Sequence, residues 1–497
     1  MSEVLLAFDI GTSAMKASMF DVEGHLINEY SYPYETVFLP DGGAEQDPED
    51  WWKGIVDVSG KMAQTNDQYH IAAISFSGQE SGLVLVDQSG HVLRHSMIHC
   101  DMRAREENNY ILSKIDEDEI FKITGHVSSP SYSLAKLLWV KVHQPEIYRQ
   151  TWKVLNAKDY IVFRLTGRFI TDHTDASFTG IYDITERRWS EKLLNVCGID
   201  MEKMPEIYPS TYKAGETNQE FEELTGIRKG VPVIIGAGDG QCASVGCGAV
   251  KPGQIYNSLG TSSWITVILK TPPLDCEKCL ETAAHPAGDY ANSGGTMQTA
   301  GTSRDWAVNQ LYHQESPDVI SQELEGTVPG ANNVIFLPYL NGERVPWWDS
   351  NARGVFIGIS TLTTRADMLR AVLEGIALNL KTILDAAKKY ENVEQMIAFG
   401  GLAKDKVFCQ ILADVYEIPV VTLKHPGQIT SLGAAIIGGV GSGIYPDFSV
   451  AETLTRKECI YYPDKANQEL YRKRLSMFKE AYSDLKDLFS EMAFSRK

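Results

Sequence analysis

The sequence predicts an α/β protein of two domains, and three observations carry that prediction. Apolar runs of strand length alternate with longer segments of helical spacing along most of the chain. At 497 residues the chain exceeds what one hydrophobic core usually organises. A small hydroxyl-rich turn, Gly11-Thr12-Ser13, follows the first apolar run, and the same three residues recur as Gly260-Thr261-Ser262. The second half restarts the pattern of the first, so the domains are expected to meet near residues 246–254, as 1–248 and 249–497.

Taken in order, Val4 to Phe8 reads as a buried strand that ends in a carboxylate, Asp9. "MFDVEGHLI" is a hairpin with Asp21 and Gly24 in its turn, and "LVLVDQSGHVL" repeats it with Asp87 and Gly90. Between them, "PEDWWKGIVDVSGKMAQT" opens a helix after Pro48, and "YHIAAISFSG" is a fully apolar strand. "SYSLAKLLWVKVHQPEIY" has helical spacing. "GVPVIIGAGDGQCASVG" is an apolar strand ending in glycines around one carboxylate, Asp239. "TRADMLRAVLEGIALNLKTILDAAKKY" reads as a long amphipathic helix. "VEQMIAFGGLAKDKVFCQILADVYEIPVV" reads as strand, glycine turn, helix and strand, and the chain closes on a helix from "ANQELY" onward.

Composition excludes several classes. A net charge of -19 argues against nucleic acid and anionic membranes as partners. No apolar stretch approaches the length of a membrane span, and "MSEVLLAFDI" has neither the basic start nor the unbroken apolar run of a signal peptide. Eight dispersed cysteines suit a reduced, cytoplasmic setting. Cys276 and Cys279 form a lone C-x-x-C without a second pair at zinc spacing.

The two turns have a common chemistry. Successive backbone N–H groups in a glycine turn make a concave anion site, and Thr or Ser hydroxyls add donors without charge. One such turn is common in hairpins; two at strand ends suggest a phosphate chain gripped from two sides. Neither a P-loop nor a Rossmann fingerprint is present. Asp9 reads either as an Asx-turn residue or as a carboxylate aimed at Mg²⁺ through water. Asp239, among Gly236, Gly238 and Gly240, reads either as a turn aspartate or as a base that accepts a hydroxyl proton. Gly400-Gly401 is a tight strand-to-helix turn or a seat for a flat ligand, and the Trp51-Trp52 and Trp347-Trp348 pairs read as packing.

"DIGTSAMKASMFD", "AKDYIVFRLTG", "TDHTDASFTGIYD", "GAGDGQCASVGCGAVKPG", "SLGTSSWI", "FLPYLNGERVPWWDSNARGVFIGI" and "LADVYEIPV" occur in this order. Together they resemble the FGGY family of carbohydrate kinases, in the actin-like ATPase superfamily, over nearly the whole chain. The resemblance implies two actin-like (ribonuclease H-like) domains with a catalytic cleft between them. It implies ATP and Mg²⁺ as cofactors, a small sugar or polyol as substrate, and a homodimer as an open option. Residue by residue, it implies Asp9 for Mg²⁺, Gly11, Thr12, Ser13 and Lys16 for the first phosphate loop, and Gly260, Thr261 and Ser262 for the second. Asp239 matches the general base, Gly301 and Asp305 fall at ATP contacts, and Gly401 and Asp405 fall in the adenosine motif. That motif reads Gly400-Gly401-Leu402-Ala403 here, where the family often has Gly-Gly-Gly-Ala.

The sugar site departs further. Xylulokinases usually carry Gly-Gln-Met-His-Gly where this chain has Gly78-Gln79-Glu80-Ser81-Gly82. Gln79 is kept, while Glu80 and Ser81 replace methionine and histidine. Asp101 and Arg103 match the family's Asp-x-Arg segment at the sugar. The expected function is ATP-dependent phosphorylation of a small sugar, first of all a ketopentose such as D-xylulose. The alternatives are a kinase for glycerol, erythritol, L-ribulose or gluconate, or a nucleotide-dependent scaffold without enzymatic activity. Glu80 argues against a sugar acid, because two carboxylates repel.

Overall fold

The computed structural model of the protein describes residues 2–64, 69–274, 277–313 and 315–494. Cys276 lies outside them, so the Cys276–Cys279 pair is not described. The chain forms two compact units. The first runs through Lys251 and adds Lys270–Asn292 and Gly427–Thr455. The second comprises Pro252–Leu269, Ser293–Pro426 and the chain from Arg456 on. The sequence suggested one boundary at 248/249; the folded units interleave, because the late helix Ile429–Gly441 belongs with the first unit.

The first unit is built around one seven-stranded sheet. Its strand order is Lys213–Glu216, Pro232–Ile234, Tyr69–Gly78, Ser2–Ile10, Ala14–Asp21 and Leu26–Pro33. Ser2–Ile10 and Tyr69–Gly78 are parallel, with Asp9 opposite Ser77 and Ile10 opposite Gly78. A two-residue strand, Ala237–Gly238, adds to the same end in parallel, with Gly238 opposite Gly78. Three parallel strands thus finish side by side, and ligands of open α/β sheets bind at such carboxyl ends. The sheet is apolar where both faces are covered: Leu5, Leu6, Ala7, Phe8, Ile74 and Phe76 are all buried. Trp51 and Trp52, from the helix Pro48–Gln64, join one core beneath it, as packing residues.

The segment around Asp239 follows the sequence reading in part: its glycines do end a strand, Ala237–Gly238, but Asp239 then opens the helix Asp239–Gly246 and is not a turn residue. That helix crosses Ile429–Gly441 at the closest approach backbones allow. A Cβ on Gly433 would overlap the Cys242 carbonyl oxygen, and one on Gly246 would overlap that of Ile429. The small-residue run "LGAAIIGGVGSG" was the signal for this crossing.

The second unit repeats the arrangement. Ile255–Leu259 pairs antiparallel with Ser263–Leu269 and parallel with Met396–Phe399, which pairs in turn with Val420–Leu423. The helix Arg365–Ala387 is buried on nearly every face, not amphipathic as its spacing suggested. It can be so because its polar residues are paired: Arg370 Nε donates to Glu374 at 2.8 Å, and Asn379 Nδ2 donates to Glu343 at 2.9 Å. Trp347 stacks on Tyr482, again as packing.

Candidate active site

In the first unit, the end of the three parallel strands gathers most of the expected residues. The Gly11-Thr12-Ser13 turn joins Ser2–Ile10 to Ala14–Asp21. Its carbonyl oxygens are all engaged. Tyr34 Oη donates to Gly11, Gln46 Nε2 donates to Thr12 at 2.6 Å, and Tyr34 N donates to Ser13 at 3.3 Å. Gly11 N donates within the turn to Ala14 O at 3.2 Å, so what the turn can still offer a ligand is the N–H groups and hydroxyls of Thr12 and Ser13, the donor set an anion needs. Lys16 lies opposite Asp9 across the hairpin and donates Nζ to Gly427 O at 3.2 Å.

Asp9 accepts from Ser77 Oγ at 2.8 Å. Burial raises its carboxyl above the ordinary value, against the pull of Ser77 and of Lys16. Asp239 accepts from Gly240 N at 2.7 Å, and burial, with the charge of Asp9 second, lifts it to about 7. Among the described residues no group of three or more His, Cys, Asp or Glu forms a protein-made metal cage. Mg²⁺ does not require one, since it keeps several waters and takes phosphate oxygens. A site with the Asp9 carboxylate, and the charge of Asp9 felt at Asp239, fits a dication held through water.

Glu80 lies against the same strand end. Its carboxyl occupies the space where a side chain on residue 238 would stand, next to Gln241 Oε1. Among the described residues Glu80 Oε1 has no hydrogen-bond partner. Burial first, then the charges of Asp239, Asp175 and Asp172, hold Glu80 well above the ordinary carboxylate range. This weakens the sequence argument about sugar acids, because a carboxyl whose proton is held more tightly than usual repels an anion less than a free carboxylate does.

The other sugar-site residues are close by in the fold and heavily bonded. Gln79 is buried and donates to Gln46 Oε1 at 2.9 Å, which couples it to the Thr12 carbonyl through one side chain. Gln79 Oε1 is left without a partner among the described residues. Ser81 donates its hydroxyl to Phe178 O at 3.0 Å, so its oxygen can only accept from a ligand. Asp101 is fully buried and receives Ala44 N at 2.9 Å and Arg103 Nη2 at 2.7 Å. Arg103 also reaches Glu45 at 2.7 Å and lies over the Trp139 ring. Gln46 and Tyr34 were not singled out in the sequence, and no motif around them would have done so.

The second unit holds a cavity of about 770 Å³. Gly260, Thr261, Gly301, Asp305, Gly401 and Asp405 all line it. Its turn is braced as the first one is: Gly301 N donates to Gly260 O at 3.0 Å, and Ala300 N donates to Thr261 O at 3.1 Å. A Cβ on Gly301 would stand 2.5 Å from Gly260 O, so the helix Gly301–Tyr312 can start on the turn only as glycine. Asp405 caps the helix Lys406–Tyr416 by accepting from Phe408 N at 3.0 Å. Asp305 is exposed and pairs with Arg304. Gly401 differs from its neighbour: a Cβ there would meet nothing within 4 Å, whereas Gly400 has φ +112 and presses on Leu259 O. Protein packing explains Gly400; it leaves Gly401 for a ligand to explain.

No helix among the described residues is long and apolar enough to cross a membrane. The chain matches the N-terminal domain of the FGGY family of carbohydrate kinases over residues 4–246 and the C-terminal domain over 255–442. It is 31% identical to a xylulose kinase of Bacillus subtilis (strain 168), with 99% of each chain covered. Among solved structures it resembles a ligand-bound xylulose kinase from Lactobacillus acidophilus, at 28% identity and TM-score 0.93, over 99% of this chain and 100% of that one. A gluconate kinase from the same organism matches equally, at 28% identity and TM-score 0.94, over the same shares. Matched over both domains and to a relative above 30% identity along nearly its whole length, the chain belongs to the FGGY family of carbohydrate kinases.

Proposed function

We propose that this carbohydrate kinase transfers the γ-phosphoryl group of ATP to a hydroxyl of a small neutral sugar, a ketopentose such as D-xylulose. The observation that carries the reading is the Asp239 carboxyl, tuned to about 7 and set at the same strand end as Gln79 and Glu80. A base works best when its pKa lies near the working pH. The names of the relatives support xylulose as the first substrate to test.

In this reading the first unit binds the sugar through Gln79, Glu80, Ser81, Asp101 and Arg103. Asp239 accepts the proton of the attacking hydroxyl. Gly11, Thr12, Ser13 and Lys16, with Gly260, Thr261 and Ser262, donate to the phosphates. Gly301, Asp305, Gly401 and Asp405 shape the nucleotide cavity of the second unit. Asp9 would hold Mg²⁺ through water, and the ion would supply positive charge to the phosphoryl oxygens. With little covalent chemistry for the protein to perform, the residues act by positioning and by electrostatic stabilisation. A cytoplasmic location is part of the same reading.

Gluconate is the second reading, favoured by the gluconate kinase match and by a Glu80 held toward its neutral form. ADP release measured with D-xylulose, L-ribulose, glycerol, erythritol and gluconate separates the two. D-xylulose or another neutral ketose is expected to give the highest kcat/KM. Gluconate in first place would overturn the neutral-sugar assignment, and ATP turnover that no sugar stimulates would overturn the whole reading.

A further inference from the structure

Beneath the strand end lies a cluster that the proposed chemistry does not use. Lys158 is fully buried, with Nζ 2.7 Å from Asp159, 2.8 Å from Asp172 and 3.0 Å from Asp175, all three fully buried too. Asp172 is the best satisfied of the three. It accepts from Ser210 Oγ at 2.6 Å, Thr174 Oγ1 at 2.7 Å and Thr174 N at 3.0 Å. Burial would raise its carboxyl, but Lys158 and these donors outweigh that and hold it below the ordinary value. An ionised carboxylate only accepts. The single proton of the Thr174 hydroxyl therefore points at Asp172, and the Thr174 oxygen is free to accept. It does so from Gly238 N at 2.9 Å.

Gly238 directly precedes Asp239 and is the N-cap of its helix, with no side chain to cap it. We propose that Thr174 is a positioning residue for Asp239. Its hydroxyl links the buried Lys158–Asp172 pair to the Gly238 amide and so fixes the direction in which the Asp239 carboxylate leaves the helix start. A chain of hydrogen bonds anchored on a buried ion pair is stiff, because each bond polarises the next. Positional error of about 1 Å at a reacting group costs on the order of 10²-fold in rate. The proposal rests on Asp239 being the base, and its test keeps the two ideas apart.

The test is steady-state kinetics on the full chain for Thr174→Val and Thr174→Ser, each alone and combined with Asp239→Asn. Thr174→Val keeps the shape and removes the acceptor. It is expected to lower kcat by roughly 10–100-fold with both KM values within about threefold. Thr174→Ser, which restores the hydroxyl, is expected to recover kcat. In the Asp239→Asn background Thr174→Val is expected to cost nothing further, since residues acting through one group are not additive. Should the valine variant not fold, Thr174→Cys keeps the volume with a weaker acceptor and is expected to lose kcat in the same direction. A wild-type kcat in Thr174→Val, or an equal loss in the presence and absence of the Asp239 carboxylate, overturns the positioning role. Near-normal kcat in Asp239→Asn alone overturns the base assignment instead.

Discussion

The first strand of each unit ends in the same three residues, and the surroundings of the two turns differ in one respect that matters chemically. In both, turn carbonyls are held by donors from neighbouring segments, so that the hydroxyls and the amides after the glycine remain for an anion. In both, a parallel strand lies alongside: Asp9 faces Ser77 in the first unit, and Ser258 faces Phe399 in the second. The difference is what stands at those positions and just beyond them. The first unit has the half-buried carboxylate of Asp9, then Gln79 and Glu80. The second has a serine, then Gly400 and Gly401, and opens into the 770 Å³ cavity. In the proposed function one scaffold would serve two tasks, with acids and amides at the reacting hydroxyl and glycines where the flat base of the nucleotide is received.

Removing the chemistry from the first unit has the largest expected effect. Asp239→Asn keeps the shape of the helix start and removes the base, so kcat is expected to fall by roughly 10²–10⁴-fold with circular dichroism unchanged. Near-normal turnover at saturating sugar would show that the acid is a helix-start residue and nothing more.

Making the first turn resemble the second is the next test. Asp9→Ser gives it the residue found at position 258. The Mg²⁺ concentration needed for half-maximal rate is expected to rise by about 10–100-fold, the usual cost of losing an outer-shell partner of a metal. Sugar binding measured without nucleotide is expected to stay the same. An unchanged Mg²⁺ dependence would detach Asp9 from the metal.

The turns themselves are expected to behave alike. Thr12→Val and Thr261→Val each remove a hydroxyl at similar volume, at a cost of about 1–3 kcal/mol if a phosphate oxygen is left unpaired. Both should raise the KM for MgATP more than that for sugar. If one variant weakened sugar binding instead, the two turns would not share a task.

The smallest effect separates two adjacent glycines. Gly400→Ala forces a side chain into a left-handed backbone and onto Leu259, so it is expected to lower thermal stability by about 1–3 kcal/mol. Gly401→Ala meets no protein atom within 4 Å and is expected to leave stability within about 0.5 kcal/mol while raising the KM for ATP. Equal melting temperatures for the two variants would mean that Gly400 is not under the strain its geometry implies.

Much of this was legible in the sequence, for definite reasons. The strand before Asp9, the hairpin at Asp21 and Gly24, and the segment from Met396 to Leu423 follow from apolar period and glycine placement, which are local properties. The two Gly-Thr-Ser turns, Gln79 and Gly401 lie just past strand ends, so a motif that marks a strand end also marks these candidates. Long-range partners were not legible. Nothing near Gln46 marks it as the link between Gln79 and Thr12, and nothing near Lys158 marks Asp172 and Asp175 as its partners beside the adjacent Asp159. The helix Arg365–Ala387 misled because its spaced charges look solvated when they are paired inside. Glu80 is a case of the same kind: a sequence shows a carboxylate, and only its place among other acids shows that its proton is held more tightly than usual.

The central claim is that Asp239 works as a base whose proton affinity is set by burial and by the charge of Asp9. The most direct measurement is kcat/KM against pH, for the wild type and for Asp239→Asn. Burial and Asp9 raise the carboxyl to about 7, so the ionised, working form is lost as pH falls through that value. The wild type is expected to show an acid limb near pH 7, falling about tenfold per unit below it, and the limb is expected to vanish from the residual activity of Asp239→Asn. A wild-type profile flat down to pH 5, or an acid limb that survives unchanged in Asp239→Asn, would contradict the account.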